Sequence, residues 1–384
     1  MKRIKSNRIL CGDEIVSGYV YFENGVIVSV GNEEIPFEEE IDATGLYVSP
    51  GFIDIHTHGG GGYAFEKEEE DVVNGCNFHL AHGTTSICPT ISAAPFDSMR
   101  RSVKNVKQAM NDPRVRSNIL GAHMEGPYLS LAQIGAQGAD FITPPKPEDY
   151  IPLTEEYGEV IARWTYAPEN DADEGFAKYL HSKGIVLSAG HTNAIGEEMK
   201  RAAAAGCNLV THLYSCTSTI TRDHGFRRLG VIESAFLDDD MFVEIIADGK
   251  HLPPDLIRLI YKIKGSDKIA LVTDSLSLAG TTATHGFMQS TEFIIEDGVC
   301  KLVDRSAFAG SIATADRLVR VIVKEVGLSL TEAVKMMTAT PAAIMGLNKG
   351  AIEVGKDADL VIFDDDINVR RVIVAGEDVT APCP

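Results

Sequence analysis

Two patterns divide the chain. Toward both ends the residues run in short extended stretches. Segments 19–23 and 26–30 flank Asn24-Gly25, a dipeptide that favours a type I′ hairpin turn, and 359–363 and 372–374 are β-rich runs beside Gly355 and Gly376. Between the ends, brief β-branched runs recur at 51–55, 84–88, 119–124, 161–166, 185–189, 208–211, 242–247 and 269–273. Most lack polar–apolar alternation, as parallel strands buried on both faces do. The intervening segments carry helical periodicity, for example 196–205 and 313–326, where Leu318, Val319, Ile322, Val323 and Val326 share a stripe. Ser329 and Glu332 form a capping box before a further helix, and Thr340-Pro341 predicts another with proline at its first position. Eight strand–helix units predict an α/β fold, a (β/α)8 barrel over 51–346. The two β-rich ends predict a small β-sandwich domain formed by 1–50 and 347–384, with the barrel inserted between.

The polar residues fall where such a barrel has use for them. The first run leads into His56-Thr57-His58, the third into Glu125, the fifth into His191, the sixth into His212, the seventh into Asp248-Gly249-Lys250-His251 and the eighth into Asp274. The C-terminal ends of barrel strands converge on one mouth, where catalytic groups sit. His56 and His58 alternate on an extended segment, so both imidazoles point the same way. Four imidazoles with the carboxylates of Glu125 and Asp274 form a borderline nitrogen–oxygen donor set. It suits Zn²⁺ or Fe²⁺ first, Mn²⁺ or Co²⁺ next, and not Mg²⁺ or Ca²⁺. A catalytic metal keeps an open position for water and acidifies it, and Asp274 lies where a base for that water is needed. A lone histidine at a strand end is an ordinary hydrogen-bonding residue, and Asp274 taken singly reads as a helix N-cap; the weight lies in six strand ends carrying such groups together.

Composition narrows the partners. The chain has 384 residues, 44% hydrophobic and 23% charged, and 55 acidic against 35 basic residues leave a net charge of −20. Phosphate-backbone contact needs a basic face, so nucleic acid is not expected, nor is an anionic membrane surface. An anionic small substrate would need local cations working against that field. The basic start MKRIKSNRIL lacks an apolar stretch after it, so no secretory signal is read there, and no apolar run is long enough to span a bilayer. Seven scattered cysteines without a CxxC pair predict reduced thiols and a cytoplasmic setting. Other features read as ordinary: 59–62 as a flexible glycine turn, His79 as helix surface, His82 as packing or capping, 238–240 as a solvated acidic loop, and Cys216 as a pocket neighbour without a base to make it a nucleophile.

The segment Pro50-Gly-Phe-Ile-Asp-Ile-His-Thr-His58 resembles the opening signature of the amidohydrolase superfamily. Several further runs are similar to the N-acetylglucosamine-6-phosphate deacetylase family: His82-Gly-Thr-Thr85, Met124-Glu-Gly-Pro-Tyr-Leu129, Ala189-Gly-His-Thr192, Thr211-His-Leu-Tyr214, Ala247-Asp-Gly-Lys-His251 and Leu271-Val-Thr-Asp-Ser-Leu276. Residues 350–360 match the superfamily's returning β segment, so the resemblance covers nearly the whole chain. It implies a barrel with a small β-sandwich from both termini, and removal of acetate from a phosphorylated N-acetylamino sugar. It also implies Glu125, His191 and His212 as ligands of one metal, a second metal at His56 and His58 with Glu125 bridging, and Asp274 as base and then acid. His251 is expected to hold substrate. A homodimer is implied too, in which Arg222 or Arg227 reaches the neighbouring subunit's sugar phosphate. Four positions depart from the family's usual residues: Gln137 where it has a substrate-contacting histidine, and Ser215-Cys216-Thr217 in place of Asn-Ala-Met, whose Asn and Ala help hold the sugar phosphate. Those departures leave open a different sugar, such as N-acetylgalactosamine-6-phosphate. Hydrolysis of a dipeptide or cyclic amide, and a non-catalytic sugar sensor, are the competing readings.

Overall fold

A computed structural model describes residues 1–380; Cys383 and the last residues of the 347–384 segment lie outside the described residues. Eight parallel strands follow the predicted order: Phe52–Thr57, Thr84–Ser92, Ala122–Glu125, Ile161–Tyr166, Val186–Ala189, Cys207–Val210, Phe242–Ile245 and Ile269–Leu271. Each pairs in parallel with the next. Beyond the regular ladder, main-chain bonds from Asp274 to His56 (2.9 Å) and from His58 to Ser275 (2.9 Å) join the eighth strand's extension to the first. Asp54 adds a side-chain link, accepting the Thr273 hydroxyl at 2.6 Å. The ring thus closes at the very residues expected to do chemistry.

The strands' apolar side chains pack outward on the helices. Ile87, Met124, Trp164, Leu187 and Ile245 belong to one cluster with Val72, Leu153, Leu180, Ile257 and Leu318 from surrounding helices, all buried. Near the mouth the barrel interior is polar where branched apolar residues are usual, while Ile53, Cys88, Leu209, Ala270 and Val272 form a separate buried apolar cluster with Ala342 and Ile344. Thr165 Oγ1 lies 2.8 Å from Ser188 Oγ, 2.9 Å from Thr211 Oγ1 and 2.7 Å from His123 Nε2.

Both chain ends enter one eight-stranded sheet around its own apolar cluster of Ile4, Val20, Phe22, Val48, Leu360 and Ile373. Its Asn24-Gly25 hairpin joins Glu14–Glu23 to Val26–Gly31, with φ of 51° and 79° at the two turn residues. Strand Tyr47–Pro50 pairs with Leu360–Phe363 and passes straight into the first barrel strand. The crossing needs Gly51, because a Cβ there would sit 2.1 Å from Thr85 Oγ1.

Several expectations change. The 313–326 helix is α only over Ala315–Val321 and widens to a π turn over Ile322–Val326. Helix Ala339–Met345 starts before Thr340, so Pro341 is its third residue, still within the first turn, where no intrahelical donor is lost. His79 is not surface: it is fully buried, with Nε2 2.9 Å from the Gly59 carbonyl oxygen, and burial pushes its pKa down to about 4. His82, by contrast, is the capping residue expected, at the C-terminus of its helix, and pairs with Asp316 at 3.2 Å. A four-stranded antiparallel sheet, His285–Met288 to Phe308–Gly310, follows the eighth strand and was not foreseen. No helix among the described residues is long and apolar enough to cross a membrane.

Candidate metal centre and active site

The chain's own backbone turns the site residues inward. His191, His212 and Asp274 follow the ends of their strands in the left-handed region, with φ of 46°, 28° and 45°. Such conformations cost of order 1–3 kcal/mol each and persist only where the surroundings over-determine them. Here they bring three strand ends to one point.

That point is Glu125, which is 2% exposed. Its Oε1 lies 3.4 Å from His56 Nε2, 3.2 Å from His191 Nε2 and 3.1 Å from His212 Nε2, and its Oε2 lies 3.2 Å from His58 Nε2. Asp274 Oδ1 sits 3.3 Å from His58 Nε2 and 3.5 Å from His56 Nε2. The ring nitrogens on the far side are all engaged. His191 Nδ1 donates to the Gln133 carbonyl (3.0 Å) and His212 Nδ1 to the Ser215 carbonyl (3.1 Å). His58 Nδ1 lies 3.1 Å from Ser92 Oγ, and His56 Nδ1 lies 3.2 Å from Glu244 Oε2. Fixing Nδ1 presents Nε2 as the free donor atom, which is how metal-ligating histidines are oriented.

The donor set fits a metal. His56, His58 and Glu125 form one triad and Glu125, His191 and His212 another, each with its ligand atoms within 4.8 Å of one another. His56 Nε2 is buried without a hydrogen-bond partner. Electrostatics agree. Burial opposes charge on His56, but Glu125, with Glu244 and Asp274, outweighs it and raises the imidazole to about 9. Burial likewise opposes the charge on Glu125, yet the surrounding histidines, His56 first, hold its carboxyl well below the usual range. The buried carboxylates thus set up a negative potential at the imidazoles, of the kind a bound cation would satisfy.

Above the cluster opens a cavity of about 260 Å³. Of the residues singled out in the sequence, His58, Glu125, Gln137, His191, His212, Ser215, Cys216, His251 and Asp274 line it. His56 lies beneath, fully buried. Gln137 is tied down: its Nε2 donates to Glu125 Oε2 at 2.8 Å and its Oε1 accepts from the Ala93 amide at 2.9 Å. His251 is oriented by Asp248, whose Oδ2 is 2.9 Å from its Nδ1. Arg222 and Arg227 do not line the cavity. They face each other across an exposed hairpin, Thr221–Asp223 with Phe226–Arg228.

Sequence reading missed four contributors. Met288 and Phe308, from the unforeseen sheet, wall the cavity. Arg163 and Glu244 form a fully buried ion pair beneath His56. A signal for that pair existed: each is a charge inside an apolar strand run, and a charge buried there needs a partner.

The amidohydrolase family pattern matches residues 47–379. The chain is 32% identical over 384 residues to the N-acetylglucosamine-6-phosphate deacetylase of Bacillus subtilis (strain 168), covering 97% of this chain and 96% of that one. It is 33% identical over 331 residues to the N-acetylgalactosamine-6-phosphate deacetylase of Shewanella sp. (strain ANA-3), covering 85% and 82%. Among solved structures, N-acetylglucosamine-6-phosphate deacetylase from Pasteurella multocida matches at 30% identity and a TM-score of 0.91, covering 98% of this chain and 99% of that one. An Asp-to-Ala mutant of the Mycobacterium smegmatis enzyme in complex with N-acetyl-D-glucosamine-6-phosphate matches at 28% identity and a TM-score of 0.91, covering 99% of both. With pattern, whole-length relatives and fold in agreement, this chain belongs to the amidohydrolase family and, within it, to the N-acetylglucosamine-6-phosphate deacetylases.

Proposed function

We propose that this protein hydrolyses the N-acetyl amide of an N-acetylamino sugar 6-phosphate, converting N-acetylglucosamine-6-phosphate to glucosamine-6-phosphate and acetate. The observation that carries the reading is the convergence of four imidazole Nε2 atoms on Glu125 with Asp274 at their side, all under one open cavity. Glu125, His191 and His212 would hold one divalent transition metal, and His56, His58 and Glu125 a second, Zn²⁺ or Fe²⁺ by donor type. Such a metal supplies Lewis acidity toward the acyl oxygen and an acidified water.

The chain's own groups do the rest. Asp274 takes the proton from the attacking water at its carboxylate and passes it to the amide nitrogen, which leaves poorly unless protonated. His58 and His56 hold the Asp274 carboxylate against burial and keep it below its ordinary pKa, ready to act as the base. His251, steadied by Asp248, holds the sugar, while Met288 and Phe308 wall the cavity.

No lysine or arginine is among the described residues lining the cavity, and a cation supplied by a neighbouring subunit would fill that lack. The reading is a homodimer in which Arg222 or Arg227 is delivered on its hairpin, beside Phe226, which is 78% exposed. A cytoplasmic setting is supported by the six described cysteines, all free.

N-Acetylgalactosamine-6-phosphate is the second reading. Ser215 and Cys216 stand on the cavity wall, and Gln137 is engaged with Glu125. Acetate release from both hexosamine phosphates, and from their unphosphorylated forms, tests the proposal. The expected result is hydrolysis of N-acetylglucosamine-6-phosphate, much reduced without the phosphate. Release from the galacto epimer alone would move the assignment to that sugar, and release from neither would overturn it.

A further inference from the structure

The four imidazoles are not supported alike. His191 and His212 are each backed by a main-chain carbonyl. His58 is backed by Ser92, with Glu66 Oε1 further off at 3.9 Å. His56 alone has a carboxylate within hydrogen-bond reach of its Nδ1: Glu244, fully buried, at 3.2 Å. Glu244 is in turn paired with Arg163, also fully buried. Arg163 Nη1 donates to the Ile55 carbonyl at 2.9 Å, the peptide that precedes His56, and Nη2 donates to Ser188 Oγ at 3.0 Å. One guanidinium thus grips the backbone next to His56 and the carboxylate against its ring.

A buried ion pair is a poor source of stability, since desolvation consumes most of the attraction and apolar replacements are often neutral. Placement is what such a pair supplies here. We propose that Arg163 and Glu244 are a positioning pair for the second metal: Glu244 sets the tautomer and angle of His56 so that Nε2 faces Glu125, and Arg163 balances and anchors Glu244. This rests on the two-metal reading above. The pair does not line the cavity; it reaches the metal site chiefly through the His56 ring, and Glu244 Oε2 also accepts a longer bond, 3.4 Å, from the His212 main-chain amide.

Metal binding to the apoprotein, with Co²⁺ alone as probe, tests this without turnover. Wild-type protein is titrated by calorimetry, with elemental analysis for stoichiometry; the expected result is two ions per chain. In the double variant Arg163→Met, Glu244→Leu, affinity for the second ion should fall by about 10–100-fold, the usual effect of losing such a partner, while the first, whose His212 ring keeps its Ser215 carbonyl and loses only a long main-chain bond, should fall far less. In a His56→Ala background the same double change should cause no further loss at the second position, because the pair's route to the metal is already cut. A second-ion affinity equal to wild type overturns the assignment. So does an equal fall at both positions with a lowered unfolding temperature, which marks a merely structural pair. One ion in the wild type overturns the two-metal reading and the assignment with it, an outcome distinct from the others. If the double variant does not fold, Glu244→Asp keeps the charge balance and shortens the reach. It should show the same selective loss, and two undiminished sites there overturn the proposal.

Discussion

At the floor of the cavity, six side chains from five strand ends converge within hydrogen-bond distances, and every Nδ1 behind them has a partner. At the rim, Phe308 is 41% exposed, Ser215 and Cys216 are half-buried, and the arginine hairpin stands out in solvent. The floor is set by strands whose ladder leaves no freedom of register; the rim is set by inserted and connecting segments. Departures from the family's residues fall at the rim, at Ser215 and Cys216, and at Gln137, which bridges the two by bonding Glu125. Reaction type and substrate choice are thereby separable, as in other barrels where strand ends carry chemistry and loops carry selectivity.

The sharpest way to break that separation is at the floor. His191→Ala removes a donor from the Glu125–His191–His212 triad and should lose the metal there, with activity falling to background; elemental analysis beside an acetate assay reads both. Full activity in that variant would dissolve the floor as drawn. Next in size is Asp274→Asn, which keeps shape but removes the proton carrier. Turnover should drop at least ~10²-fold with metal content unchanged, by the usual size of acid–base effects.

At the rim the expected signature is a Michaelis constant that changes while turnover holds. Replacing both Arg222 and Arg227 by alanine should raise KM for the phosphorylated sugar about 10–100-fold, the worth of a lost charge-assisted hydrogen bond. Sedimentation of wild type and variant shows whether the proposed dimer forms and whether it survives the change. An unchanged KM would leave the phosphate without its expected partner. The smallest effect belongs to neither region. Gly51→Ala forces a methyl group into Thr85 and should cost about 1–3 kcal/mol of stability, read by denaturant unfolding, with KM untouched.

Much of the floor could be read without coordinates. Short β-branched runs mark parallel strands whatever their partners, and a histidine or carboxylate just past such a run lies at the barrel mouth once the order is cyclic. The four-stranded insertion escaped because its strands are short and one-sided: His285–Met288 reads as loop until it pairs with Thr291–Glu296. His79 was misplaced for a similar reason. Its helix shows little amphipathic contrast, and only the nearness of Gly59 and Thr57 makes its ring an interior hydrogen-bonding group.

The order of the strands, the residues that end each one and the donor chemistry they offer are legible along the chain, because periodicity and side-chain type are local properties. Which groups support those donors is a matter of folding. Residues 163 and 244 are 81 positions apart, and the pairing of their charges beneath His56 depends on the inward-facing register of three strands at once. Register is set by the closing of the whole ring, which no single segment encodes.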